Sequence, residues 1–203
     1  MSVPFVVHAL SCSLGKGRIS LRGKKKRPWL EVSRSEADRS FLRWQFNLLK
    51  KLHEGPIDYF EDRIATNGFY DLERFRFHGE NLYKVYELLY PRDQRYISLD
   101  VLHIAGEQGL AMLWFDQGRV KGRRGSLRGR YSPQEYQNIA DYLNSIDIQA
   151  TPHSNQLTTI EICLSRAGLD KLLRIITPLL PKGSYSKVSR SRTTSRTLSL
   201  PGA

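Results

Sequence analysis

The sequence predicts an α+β fold in which one unit of order αββαββα is used twice. Three observations carry that reading. The same succession of helical and strand patterns runs from Val3 to Tyr90 and again from Gly106 to Thr177. Each run opens on an apolar helix stopped by a glycine, and the two stops, Gly15 and Gly118, lie about 103 residues apart. Each run then enters a short basic stretch of strand character. An internal duplication of this kind implies pseudo-twofold symmetry, with two sheets that build one concave surface.

The first run is justified element by element. Val3–Leu14 is apolar and ends at Gly15, a helix with a glycine stop. Arg18–Arg22 alternates polar and apolar residues, a half-buried strand. Gly23–Arg27 is a basic turn and Trp29–Arg34 a second strand. Ser35 is the expected cap of a long amphipathic helix to Leu52, with Phe41, Leu42, Phe46, Leu49 and Leu52 as its buried stripe. Two strands near residues 57–65 and 70–78 follow, joined at Asn67-Gly68. In the latter, Phe75 and Phe77 face one way, and Arg74, Arg76 and His78 the other. A helix from about Glu80 to Tyr90 stops before Pro91.

The second run repeats the order. Gly106–Gln117 reads as an apolar helix stopped by Gly118. Residues 119–131 read as two basic strands bent at Gly122, Gly125 and Gly129. Ser132 caps a helix to Ser145, with Pro133 in its first turn and Glu135 completing a capping box. Strands near 147–151 and 157–164 precede a last helix, Ala167–Thr177, stopped by Pro178. The chain therefore divides into a first half at 1–98, a second at 99–182 and a Ser/Arg-rich tail at 183–203. Alone, such a tail is expected to be disordered or to follow a nucleic-acid surface.

Charge narrows the function. The net charge is +12, and it is segregated. Lys16, Arg18, Arg22, Lys24, Lys25, Lys26 and Arg27 lie in the first 30 residues, which hold no acid. Arg119, Lys121, Arg123, Arg124, Arg128 and Arg130 form a second acid-free block, and residues 171–203 a third. Blocks of one sign on an otherwise acidic body are the footprint of a polyanion-binding face.

Other classes are excluded by what the sequence lacks. The two cysteines, Cys12 and Cys163, cannot supply a disulfide scaffold or a Cys-rich zinc module. Cys12 reads as a small packing residue. His8, His53, His78, His103 and His153 are far apart, without metal-ligand spacing. Gly15-Lys16-Gly17 is no phosphate loop, because Leu10 and Gly17 stand where that motif needs glycine and Ser or Thr. No apolar run approaches the roughly 20 residues of a membrane helix, so no membrane partner is expected. The first 30 residues have the composition of a transit peptide, but they carry a helix and a strand of the repeat and are read as fold.

Two segments resemble the motifs of the two-motif LAGLIDADG homing endonucleases. Leu110-Ala111-Met112-Leu113-Trp114-Phe115-Asp116-Gln117-Gly118 resembles the family's "LAxWFxDDG", and Leu10-Ser11-Cys12-Ser13-Leu14-Gly15-Lys16-Gly17 its "GSLLGDG". Leu30 to Ser35 with Phe41-Leu42 and Leu48-Leu49, Tyr90 to Ile97, and Ile176-Thr177-Pro178 to Tyr185 resemble three further stretches in the family's order. The resemblance spans about residues 5–188. It implies two motif helices side by side at the pseudo-twofold axis and two four-stranded antiparallel saddle sheets on nucleic acid. It also implies that the last acid of each motif would bind divalent metal.

Both acid positions depart from the family. Lys16 stands at the first and Gln117 at the second. An ammonium repels a divalent cation, and a neutral amide oxygen is a poor ligand for one. Asp116 is adjacent to Gln117, but one helical step turns a side chain by about 100° away. At the family's closing Tyr-Lys the chain has Tyr185-Ser186. No catalytic set is intact and no metal ligand is assigned.

The expectation is thus a non-cleaving nucleic-acid-binding protein derived from a homing endonuclease, with structured RNA favoured over DNA. An intron or ribosomal ribonucleoprotein is the expected setting. The contact set is Arg18, Ser20, Arg22, Lys24, Lys25, Lys26, Arg27, Arg74, Arg76, Arg119, Lys121, Arg123, Arg124, Arg128 and Arg130. Two other readings stay open: an active or nicking DNA endonuclease that uses Asp116 and Mg²⁺, and a structural subunit packed on ribosomal RNA. The first reading needs no cofactor, and the closed pseudo-dimer needs no second copy, so a monomer is expected. By the resemblance, a mitochondrion or chloroplast is the expected compartment, with the cytoplasm as the alternative.

Overall fold

The computed structural model describes residues 3–64, 70–154 and 160–184. It is an α+β fold made of two αββαββα repeats. The first repeat runs α1 (Val3–Leu14), β1 (Arg18–Arg22), β2 (Arg27–Ser35), α2 (Arg39–Leu52), β3 (Asp58–Ile64), β4 (Tyr70–His78) and α3 (Asn81–Leu89). The second runs α4 (Leu99–Gln117), β5 (Gly118–Lys121), β6 (Arg124–Leu127), α5 (Pro133–Ser145), β7 (Ala150–Ser154), β8 (Ile160–Leu164) and α6 (Arg166–Ile176). Each repeat builds one antiparallel four-stranded sheet, and the two strand orders correspond: β1-β2-β4-β3 and β5-β6-β8-β7.

Strand alternation sorts side chains between the core and a helix-free face. Along β2, Leu30, Val32 and Arg34 point inward, while Trp29, Glu31 and Ser33 point out and are half-buried. On β4, Phe75 and Phe77 are buried and Arg74, Arg76 and His78 lie on the other face, as the alternation predicts. One apolar core runs through both repeats. Fully burying a large apolar side chain contributes roughly 1.5–3 kcal/mol, and this core holds several phenylalanines and many leucines.

The two motif helices α1 and α4 pack against each other. Gly109 to Phe115 are buried without a break, so α4 has no solvent-facing stripe along this stretch. Gly109 permits the close approach: a Cβ there would stand 2.9 Å from the Cδ1 of Leu14.

Several expectations are corrected. The helix predicted at Gly106–Gln117 begins earlier, at Leu99, where Ser98 accepts from the Val101 N–H. Gly106 interrupts it at φ 56° and ψ −148°, a conformation open to glycine, so the break that reads as a start is a kink. Ser35 does not cap α2. A 3-10 turn, Glu36–Asp38, intervenes, and neither Ser35 nor Asp38 makes a side-chain cap. Within α2, Phe46 and Leu52 are partly buried, and the polar Gln45 takes an inward place instead. The second basic hairpin ends at Leu127, so Arg128 and Arg130 lie beyond its strands; of the expected bends, Gly122 sits at the turn, Gly125 within β6 and Gly129 past it. The capping box of Ser132 and Glu135 is present. Asn67-Gly68 lies outside the described residues, and so does the tail beyond Ser184, itself buried.

Candidate nucleic-acid interface

Cross-strand register assembles the outer face of the first sheet row by row. One row reads Arg18, Glu31, Arg76, Asp58 across β1, β2, β4 and β3. The row above holds Ser20, Trp29 and His78, and the row below Ser33, Arg74 and Phe60. Arg22 pairs with Arg27 at the end of the hairpin, and Lys24, Lys25 and Lys26 are exposed at its tip. Of the sequence-predicted set of this repeat, Arg18, Ser20, Arg22, Arg27, Arg74 and Arg76 therefore share one face, with the three lysines at the hairpin tip. Its arginines have acidic neighbours: Arg22 donates to Glu31 at 3.3 Å, and the Arg76 Nε lies 3.8 Å from Asp58.

The second sheet is different in character. Arg119, Ser126, Cys163 and Thr151 form one row, and Lys121 pairs with Arg124 beside it. Arg119, Lys121, Arg123 and Arg124 are all exposed, with Arg123 in the turn. Arg128 and Arg130 leave this row and line a cleft of about 940 Å³ at the carboxyl ends of α1 and α4, together with Lys16, Arg95 and Arg119. Five cations in one cleft make a strong local field for a phosphate. Helix carboxyl ends favour such cations. Arg95, at the end of the linker between repeats, donates to the Ser13 carbonyl at 3.2 Å in the last turn of α1.

Asp116 also lines this cleft, but its side chain is almost wholly buried. The side chains of Arg34 and Asp116 are 0% and 1% exposed and form an ion pair, with Arg34 Nη2 donating to Asp116 Oδ2 at 3.1 Å and Nη1 to Oδ1. The Lys16 backbone N–H also donates to Oδ2, at 2.8 Å. Gly15 makes room, since a Cβ there would overlap the same oxygen. Arg34 Nε donates to Gln45 at 2.9 Å, and Gln45 donates to Cys12 and Met112 sulfurs, each at 3.3 Å. The guanidinium lies 4.6 Å from the Phe41 ring and 5.1 Å from Phe115, rings that stack on each other at 3.6 Å. Burial pushes the Cys12 thiol up to about 12, so it stays neutral.

The neighbouring positions are committed too. Gln117 offers its amide oxygen to the hydroxyl of Tyr131. Burial raises the Tyr131 pKa, which keeps that phenol a donor. The Lys16 ammonium lies 3.8 Å from Asp38. A divalent cation needs several hard oxygens, carboxylates above all. Here the carboxylate of Asp116 is engaged by a guanidinium, the Gln117 oxygen by a phenol, and cations surround the cleft, so these residues do not fit such an ion.

Sequence reasoning missed Arg34, Arg95 and Tyr131. Arg34 carried a signal, because it falls in phase with Leu30 and Val32 on an inward strand face. Arg95 and Tyr131 had no local signal.

The sequence profile of the LAGLIDADG DNA endonuclease family matches residues 13–172. Among solved structures, the chain is similar to the homing endonuclease I-WcaI bound to its DNA recognition sequence, with a TM-score of 0.75 at 14% identity, over 92% of this chain and 86% of that one. It is also similar to I-DmoI in complex with DNA and Mn, at a TM-score of 0.59 and 14% identity, over 86% and 96%. A third likeness is to the N-terminal LAGLIDADG domain of DUF199/WhiA, at 0.51 and 13%, over 87% and 82%. Identities this low speak to the fold. No match is found among curated proteins.

Proposed function

The chain belongs to the LAGLIDADG DNA endonuclease family, and from that premise we propose that it binds nucleic acid without cutting it, with structured RNA as its ligand. One observation carries the proposal: both oxygens of Asp116, the carboxylate nearest the motif-helix ends, are held by the buried Arg34. By the family resemblance, Lys16 and Gln117 occupy the two acid positions, so the cleft keeps attraction for phosphate while losing the donors that would hold metal and activate water. Affinity comes from cations against phosphates, and selection from the sheet faces. RNA is the ligand chosen because a chain that does not cut gains nothing from a cleavage site in duplex DNA, whereas a metal-free cationic cleft can hold a bent RNA backbone by its shape.

The test is to crosslink the protein in its own cells, sequence the bound nucleic acid, and incubate the full chain with that target and Mg²⁺ or Mn²⁺. Recovery of one intron or ribosomal RNA, left intact, is expected. Recovery of one discrete DNA site that is cut or nicked in the presence of metal would overturn the proposal.

A further inference from the structure

The two sheet faces differ in a way that duplicated ancestry does not require. On the first, planar groups alternate. The Arg76 guanidinium carbon lies 4.6 Å from the Phe60 ring centroid and 5.6 Å from Trp29. Arg22 lies 6.0 Å from Trp29, and Arg74 lies 5.3 Å from Phe60. His78 packs on Trp29 at 4.7 Å between centroids. Trp29 and Phe60 are only half-buried. Acidic partners Glu31 and Asp58 soften the charge of this face. Among its described residues, the corresponding face of the second sheet presents Arg119, Lys121, Arg124, Ser126, Thr151 and Cys163, with His153 and Glu161 farther along, and no Trp, Phe or Tyr ring.

We infer that the two halves divide the work: the second sheet grips phosphates, and Trp29 and Phe60 with their stacked arginines form a platform for unpaired nucleobases. This rests on the nucleic-acid reading above and names what the first sheet takes from the ligand. The outside of a duplex offers phosphates and base edges, and no base face. A ring exposed on a binding sheet meets its chemical counterpart only where bases are unstacked, in a loop, a bulge or a single-stranded end. Guanidinium planes held between rings extend the platform, since they stack on bases as rings do. Partial neutralisation by Glu31 and Asp58 also disfavours a pure phosphate role for this face.

The experiment uses the full chain with three fluorescent probes: a 12-nucleotide RNA, the DNA of the same sequence, and the duplex of that DNA. Wild type, Trp29→Ala, Phe60→Ala and the paired Arg119→Ala/Lys121→Ala variant are titrated, with thermal unfolding as the folding check. Trp29→Ala and Phe60→Ala are expected each to weaken both single strands by about tenfold, within the range of alanine substitutions at stacked bases, and the duplex by much less. Arg119→Ala/Lys121→Ala is expected to weaken all three alike. Should either ring variant fail to fold, the other and the quenching of wild-type tryptophan fluorescence by the single strands decide. Equal losses for single strands and duplex, or single-strand binding without quenching, would overturn the platform and leave phosphate binding standing. Binding to none of the probes would remove the nucleic-acid reading itself. RNA bound more tightly than the matched DNA assigns the platform to RNA loops, and the reverse assigns it to single-stranded DNA.

Discussion

Arg34 and Asp116 close a buried ion pair between β2 of the first repeat and α4 of the second. The pair sits one residue from the motif-helix position that the family resemblance assigns to a catalytic acid. Its two charges leave water together, and each oxygen of the carboxylate has a donor. An arrangement of that kind fixes how the two repeats meet. It also turns a carboxylate from a possible metal ligand into a strut.

Breaking the strut is expected to cost stability. Asp116→Asn leaves a buried guanidinium without its counter-charge, and such losses run to about 3–5 kcal/mol. Arg34→Met paired with Asp116→Leu removes both charges and is expected to cost much less than the two single changes added together, since no ion is then stranded. Urea unfolding of the parent, Arg34→Met, Asp116→Leu and the double variant closes the cycle, with Asp116→Asn measured beside them. A single Asp116→Asn variant as stable as the parent would mean that the pair does not form in solution.

The second basic block is expected to supply affinity without selectivity. Reversing charge at Arg119, Lys121 and Arg123, which share an exposed hairpin, should cost several kcal/mol of binding at low salt. The slope of log affinity against log salt should flatten by roughly 0.7–0.9 for each phosphate that is no longer neutralised. Unchanged affinity across a salt series would show that this hairpin is not the binding surface.

How much of this was legible in the sequence depended on whether a feature was local. The repeat order, the inward Phe75 and Phe77, and the Ser132 capping box follow from period and spacing, and the structure has them. The face shared by Arg18, Arg22, Arg74 and Arg76 was also readable, because each alternates against an apolar neighbour. The start of α4 was not. Gly106 looks like a boundary, and only tertiary packing of Val101, Leu102 and Ala105 shows that the helix precedes it. The pairings around the cleft were least legible. Asp116 meets a residue 82 positions away, and no periodicity encodes such a meeting.

Gly106 gives a test of that kink. A Cβ there would meet nothing within 4 Å, so a substitution costs through the backbone alone. At φ 56° and ψ −148° an L side chain is strained, by roughly 1–3 kcal/mol. Gly106→Ala is expected to lower the unfolding midpoint accordingly, while Gly183→Ala, also free of close neighbours and without a positive φ, should leave it near the parent's. Equal midpoints for the two variants would argue that α4 runs straight through Gly106.

Restoring acids is the sharpest test of the motif alignment. Lys16 and Gln117 lie at the carboxyl ends of α1 and α4, and both line the cleft. Lys16→Asp with Gln117→Asp would place two carboxylates where helix ends already favour a cation. Calorimetry is expected to show Ca²⁺ or Mg²⁺ binding to the double variant, with little heat from either single variant. Adding Arg34→Met together with Asp116→Leu, which strands no charge, should leave that heat in place, because Asp116 is bound to Arg34 and takes no part. If instead the double variant gives no heat, the motif positions are misassigned. If removing the Arg34–Asp116 pair abolishes the heat in a folded protein, Asp116 is a ligand after all, and cutting activity should be sought.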